Sequence, residues 1–578
     1  MQLTEAEMGS LSNSTASINN SRNIRWKRDE YAEKVTAMEM LMDKGLSDRA
    51  IAKELEVPRS TLQSWQKHRA SLDAEPEYTA FFESSLGLAF LHRLCTAAHL
   101  VFVEAGACGV AMVSKFLELS CLDRFVACSI ESQRQINRSV QEAVIAYVAT
   151  EQPILQNKMP QKEITVCQDE TFTGGLCLVA IEPESGFILL EKEAENRTCE
   201  TWTVQMSQAM QGMKAKIIQS TSDEGKGLLA YAEHTLGVAH SPDIFHVQHE
   251  LCKAVAAPVA LKIRKSERAI QSVNEDLHAL NLEKGNYLKN IANRGPGRPK
   301  DFTQHMTVAH AQLELETKEL ERLKALQEDM RTNTRGLGED YHFLDPVSGE
   351  RLSPGIVTKK LQARIDTIRQ LAEQEGLSES SLARIDKAER VLPKISVSLN
   401  FVSTYVRQEI DKLGLPLSLA RAIHTKLLPA AYLERLAAKE NKAERLRIET
   451  KAQELKASLY APGGDMMLMT AEQRDAVEAR VQQLAQVFQR SSSCVEGRNG
   501  VLSFRHHELH NIGERKRLVL TALHNYFITR TDGTTAAERF FESKPSDLFQ
   551  AVLVATKIPA KPLSPPRKTK RPDLRLVN

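Results

Sequence analysis

Residues 491–510 read SSSCVEGRNGVLSFRHHELH, and between positions 496 and 510 they carry Glu496, Arg498, Asn499, His506, His507 and His510. That is more polar chemistry than a surface helix needs. Two further acids stand in short stretches far upstream. Asp169 lies near the end of an apolar run in VCQDETF, and Asp223 lies in QSTSDEGKGLLAY, where a run of strand character ends and a glycine-bearing turn leads into a helix. A carboxylate at the end of a buried strand is costly unless compensated. Three that converge would repel one another severely without a counter-charge. A divalent cation supplies it: Mg²⁺ takes a few carboxylates together with water and phosphate oxygens, and two such ions clamp an in-line phosphoryl displacement. On a helix, Glu496, Asn499, Ser503, His507 and His510 fall on one face by steps of three or four. Such a face can look into the site that the acids would form.

Plainer readings stand beside these. Asp169 can be a strand-end residue, and Asp223 a helix N-cap. Glu170 and Glu224 are their immediate neighbours, and strand alternation lets only one of Asp169 and Glu170 face inward. HHELH could suggest zinc, but no fourth ligand is near. Gly497 and Gly500 weaken the helix by about 1 kcal/mol each relative to alanine; close approach of a DNA backbone would explain them.

The elements that must position the acids are legible in outline. KEITVCQDETF, GGLCLVAIE and GFILLEKEA are three short β-rich runs, followed by an amphipathic helix over 199–213 and a fourth strand in AKIIQSTSDEG. This predicts a mixed sheet of α/β type. With 578 residues, several folding units are expected, so the chain is multidomain α + α/β. Residues 1–27 are Ser/Asn-rich and end basic, as a disordered arm would. Residues 28–72 have the pattern of a helix-turn-helix, with Val35, Met38 and Met42, then Ile51 and Leu55, then Leu62 and Trp65 inward. Arg59, Ser60, Gln63, Gln66, Lys67 and Arg69 point outward on its last helix, which is sized for a DNA major groove. The alternative is a plain three-helix bundle with a solvated basic face.

Residues 73–150 read as helical, a linker or oligomerisation region. The apolar run 86–113 is interrupted by His92, Arg93, His99 and Glu104, which favours a buried helical pair over a membrane span. Residues 257–490 return to helix and begin as an antiparallel coiled-coil hairpin. Its connecting loop, RGPGRPK, offers Arg294, Arg298 and Lys300 either to an A·T-rich minor groove or simply as a basic turn. The last stretch, 546–578, is a basic Pro-rich tail, expected to be extended from Lys557 onward. Net charge is only +2, so local basic patches matter more than the total. Nine cysteines without CxxC or zinc spacing fit a reducing cytoplasm, and the polar N-terminus lacks an apolar signal region.

Strand–strand–strand–helix–strand, with Asp169 in the first strand, Asp223 after the fourth and Glu496 on a late helix, resembles the RNase H-like core of DDE transposases. The stretch CVEGRNGVLSFRHHELHNI…RLVLTALHNYFITRTDGTTAAERFF is similar to the matching region of bacterial insertion-sequence transposases, and GLSDRAIAKELEVPRSTLQSW resembles homeodomain-like helix-turn-helix units of bacterial DNA-binding proteins. His246 and His249 hold the positions of an HxxH-like pair that some transposases place after the second aspartate. The resemblance covers roughly 160–256 and 491–545 as an RNase H-like core, interrupted by 257–490 as an insertion, plus the N-terminal unit. It implies Asp169, Asp223 and Glu496 as catalytic metal ligands, two Mg²⁺ or Mn²⁺ ions, Asn499 and Arg498 holding phosphate, the histidines contacting DNA backbone or bracing the sheet edge, and cleavage and transfer of double-stranded DNA at element ends. It further implies a homodimer or larger homo-oligomer, acting in a bacterial cytoplasm and on the nucleoid when bound to DNA. Other readings are a non-catalytic helix-turn-helix regulator, an inactive transposase derivative, a structural coiled-coil protein, or another RNase H-like nuclease.

Overall fold

The computed structural model describes residues 28–70, 74–293, 295, 297–509 and 512–562. The side chain of Arg69, residues Arg294 and His510, the arm 1–27 and the tail 563–578 lie outside the described residues. The chain divides into two compact units, 1–150 with 546–578, and 151–545.

The first unit begins with three helices, Arg28–Asp43, Asp48–Glu54 and Arg59–Ala70. Gly45 supplies the positive φ of +77° that ends the first, and the Ser47 side chain caps the second by accepting from the Ala50 amide. Val35, Met38, Ile51, Val57, Leu62 and Trp65 form their core, with Tyr31 edge-on to Trp65 at 5.1 Å. Met42, expected inward, is 42% exposed. Arg59, Ser60, Gln63 and Lys67 are exposed, whereas Gln66 is half-buried and donates to Asp48 Oδ1 at 3.2 Å.

Four longer helical stretches follow. The stretch Ser85–Ala105 is long and apolar enough to cross a membrane by length and composition, and half of it is buried in the fold. Its polar interruptions are partnered: His99 meets Gln133 at 2.9 Å and Asn137 at 3.1 Å, and Glu104 accepts from Asn137 and Gln141, both at 2.9 Å. The stretch 546–578, read as a tail, begins with a helix ahead of Lys557. Leu548–Ala555 is a helix, and Thr556 beyond it reaches His92 at 3.2 Å and Thr96 at 3.3 Å. The apolar sequence LFQAVLVA buries Leu548 and Val552 and so anchors the segment.

The second unit holds a mixed sheet: β1 (Lys162–Phe172), β2 (Leu176–Glu182), β3 (Phe187–Glu193), β4 (Ala215–Ser222) and β5 (Ala239–Pro242), in the order β3-β2-β1-β4-β5. β1 pairs antiparallel with β2, which pairs antiparallel with β3; β4 and β5 run parallel to β1. β1 is buried continuously from Ile164 to Asp169, as a strand covered on both faces must be. One face packs Cys167, Cys177, Val179, Ile181 and Ile188 against Val495, Leu502, Ile512 and Leu520. The fully buried Trp202 comes from the helix Cys199–Ala209, whose N-cap is Thr198.

The helical body between the two sheet segments has its own large core, which starts earlier than expected, in the helix Ile244–Leu251, and ends at Phe488. Its helices Ala257–Lys289 and Phe302–Asp340 pack along each other as an antiparallel pair, with Ser266 donating to the Glu316 carbonyl at 3.1 Å near the base and Tyr287 against Phe302 near the turn. The body leaves the sheet and returns to it at neighbouring points: the Ile244 amide donates to the Arg490 carbonyl at 3.0 Å. All nine cysteines are free thiols.

Candidate active site

Asp169 lies within electrostatic range of Asp223 and Glu496, and the three acids come from three elements: β1, the turn after β4, and the helix Ser493–Leu509. β1 and β4 are adjacent and parallel, so the end of one lies beside the end of the other, the position where α/β sheets collect their sites. The late helix is aimed by its lead-in. Thr165 donates to the Val487 carbonyl at 3.0 Å, Ser241 to the Gln489 carbonyl at 2.9 Å, and Ser492 to the buried Asp243 carboxylate at 2.5 Å. Asp243 also caps the helix that follows β5, by accepting from the Phe245 amide.

Asp169 is 8% exposed. Burial, together with Asp223, Glu496 and Glu170, pushes its carboxyl up to about 8, against the opposing pull of the Glu170 amide on Oδ1 at 2.8 Å. Asn499 donates its amide to Asp169 Oδ2 at 2.7 Å, so it orients a carboxylate rather than standing free for phosphate. Its own Oδ1 is buried without a partner. Asp223 Oδ1 accepts from the Gly225 amide at 3.0 Å. A Cβ on Gly225 would lie 3.4 Å from that oxygen and 3.8 Å from Glu170 Oε1, which shows how closely the two acid-bearing turns approach. Between them Glu224 takes a left-handed φ of +67°, a conformation that side-chain-bearing residues adopt at a cost.

The phosphate contact expected of Arg498 is not available. Arg498 is buried on the sheet side of the helix and holds Glu191 of β3 bidentately, at 2.5 and 2.8 Å. The step of two from Glu496 carries it round to the opposite face. Of the histidines, His246 lines a small cleft with Asp223, Glu224 and Asp243. His249 is exposed and lies parallel to Phe245 at 6.3 Å, and His507 is exposed. Arg298 and Lys300 are exposed in the hairpin loop, where Lys300 pairs with Glu283.

Three residues escaped the sequence reading. Arg197 Nη1 is 2.8 Å from Glu170 Oε2, and Lys394 Nζ is 2.8 Å from Glu224 Oε1. His240 of β5 has both ring nitrogens buried without partners, and burial, Lys394 and Asp223 together leave it at about 4, hence neutral at pH 7. The signal that could have found the two cations is the dipeptide Asp-Glu, which occurs in both QDET and SDEG. Nothing in the four-residue AHSP marks a strand.

Among the described residues, no three His, Cys, Asp or Glu side chains stand close enough together to hold one metal ion as they are. The donor chemistry nonetheless fits a hard divalent cation. Burial and the neighbouring acids Asp223, Glu496 and Glu170 hold the Asp169 carboxyl well above its ordinary range, and a positive ion would relieve that.

Comparison with known proteins adds little to this geometry. No curated protein matches the chain. Residues 423–571 match the model of a family of unknown function, DUF6399, a stretch that includes Glu496 and Asn499 but neither aspartate.

Proposed function

We propose that the chain is a DDE-type DNA transposase that binds the ends of its element and carries out metal-dependent strand cleavage and strand transfer. The observation that carries this reading is the electrostatic convergence of Asp169, Asp223 and Glu496 from three elements, the last more than 250 residues downstream of the others, at one end of a mixed sheet. Three antiparallel strands, a helix, and a fourth strand parallel to the first support an RNase H-like core. A fifth parallel strand and a late helix across the sheet are consistent with it.

Asp169, Asp223 and Glu496 would hold the Mg²⁺ or Mn²⁺ ions, two in number, whose bound chemistry is activation of oxygen nucleophiles and stabilisation of the leaving oxygen at phosphorus. Asn499 fixes the rotamer of Asp169, and the turn at Gly225 fixes that of Asp223. The exposed Arg59, Ser60, Gln63 and Lys67 of the helix Arg59–Ala70 are the candidate groove contacts, and Arg298 with Lys300 a second DNA contact. Pairing two DNA ends requires a homodimer or larger assembly.

The test is cleavage and joining of labelled DNA carrying the element's own ends, taken from the sequence flanking the gene, in Mg²⁺ or Mn²⁺. Asp169→Asn, Asp223→Asn and Glu496→Gln should each abolish cleavage while end-binding survives. A wild type that binds ends but never cuts would leave a non-catalytic helix-turn-helix regulator as the reading. A Glu496→Gln variant that cuts normally would remove the third acid from the site.

A further inference from the structure

The two aspartates of the site are each followed directly by a glutamate, and the two glutamates do the same thing. Glu170 has a side chain only 4% exposed, and both of its oxygens are engaged: Oε2 by Arg197 at 2.8 Å, Oε1 by the Trp202 indole N–H at 3.3 Å. A carboxylate so occupied has little left for a metal. Glu224, 19% exposed, has Oε1 at 2.8 Å from Lys394 Nζ, an ion pair that lacks hydrogen-bond geometry and so leaves this carboxylate less occupied than Glu170. The cations themselves face outward, Arg197 at 63% exposure and Lys394 at 43%. An arginine has five N–H donors and a lysine three, and each cation is anchored here through one short contact to its glutamate. The pair reaches the acids from unrelated parts of the unit. Arg197 stands just before the helix Cys199–Ala209, and Lys394 stands near the start of the helix Leu392–Asp411 in the helical body. Asp223 acts electrostatically on Arg197, and Lys394 is paired with Glu224, the residue that directly follows Asp223.

We propose, resting on the transposase reading, that Arg197 and Lys394 hold phosphates of the DNA strand on either side of the reacting one, and that Glu170 and Glu224 position these cations instead of binding metal. A surface of carboxylates alone would repel the substrate's backbone. Two anchored but outward-facing cations give it somewhere to bind without filling the space where metal is needed. The arrangement also resolves which acid of each Asp-Glu pair belongs to the metal set.

The experiment uses the full chain with a mixed-sequence DNA duplex in Ca²⁺, and Mn²⁺ binding followed separately by titration calorimetry without DNA. Glu170→Gln and Glu224→Gln should retain Mn²⁺ affinity, whereas Asp169→Asn and Asp223→Asn lose it. Arg197→Gln and Lys394→Gln should keep Mn²⁺ affinity and each reduce the salt dependence of DNA binding, the slope of log K against log salt, by about 1. Arg197→Lys should restore the slope. Loss of Mn²⁺ affinity in a folded Glu170→Gln or Glu224→Gln would make that glutamate a ligand and overturn the proposal. So would slopes unchanged in Arg197→Gln and Lys394→Gln. A wild type that binds no Mn²⁺ at all would sink the transposase reading itself, and this inference with it.

Discussion

The helix Ser493–Leu509 has two faces that treat charge in opposite ways. On the sheet side, Val495 and Leu502 are fully buried and flank Arg498, whose guanidinium is matched oxygen for nitrogen by Glu191, with Thr521 donating to the same carboxylate at 2.8 Å. Away from that side, Asn499 bonds Asp169, whose carboxyl is made costly to ionise by burial and by the acids Asp223, Glu496 and Glu170. One turn of helix thus separates a charge that is satisfied within the chain from charges that are not. The first is architecture, since a buried pair with complete hydrogen bonding asks for nothing further. The second is held in a costly state by the surrounding fold, which is where a ligand gains binding energy.

Breaking the satisfied side should have the largest effect. Arg498→Ala leaves Glu191 buried and unpaired, and is expected to cost about 3–5 kcal/mol in urea unfolding. Replacing both partners, Arg498→Met with Glu191→Leu, should recover most of that loss. The unsatisfied side should respond in the other direction. A carboxyl held at about 8 in the fold, against an ordinary 3.8, binds its proton more tightly folded than unfolded. Its contribution to stability is therefore present below pH ~4 and is lost as pH rises toward ~8. Asp169→Asn should accordingly be more stable than wild type at pH 7 by about 1 kcal/mol or more, and the gap should close as pH falls toward 4. Mg²⁺ should raise the thermal midpoint of wild type in proportion to the logarithm of its concentration, and should leave that of Asp169→Asn unmoved. The smallest effect should come from the helix's open side. A Cβ added at Gly497 or Gly500 meets nothing within 4 Å. Each alanine should therefore stabilise by up to about 1 kcal/mol, and a fall in DNA cleavage alongside that gain would mark the glycines as clearance for substrate.

What could be read from the sequence followed the range over which each signal acts. Ser47, Gly45 and the apolar spacing around Ile51 and Leu62 act locally, and the three N-terminal helices formed as their pattern required. The first four strands were visible in their β-branched and apolar runs, whereas β5, with a histidine, a serine and a proline in four residues, takes its conformation from β4 beside it. Asp169, Asp223 and Glu496 were legible as types in suggestive settings. Their neighbours were not. Whether Arg498 faces phosphate or Glu191 depends on a strand more than 300 positions earlier, and whether Gln66 reads a base or bonds Asp48 depends on packing between helices. Lys394 carried no signal of its own, because its partner Glu224 lies in the turn after β4, far upstream of the helix that bears the lysine.

The backbone bond from Ile244 to Arg490 has a consequence for how this chain tolerates change. Everything between those residues is, to the sheet, a loop whose two ends are clasped together. The entropy of closing a loop grows only with the logarithm of its length, about 0.6 kcal/mol per doubling. Away from the residues that meet the strands, among them Tyr341 at Ser241, Ser398 at Gln219 and Tyr405 at Glu163, the span from 245 to 489 can therefore gain length at little thermodynamic expense to the strands that carry the aspartates. In polymer terms the body is a graft. It can be lengthened at the tip of its hairpin, between Lys289 and Phe302, while the clasp and the contacts on the strands together keep the third acid in register with the first two.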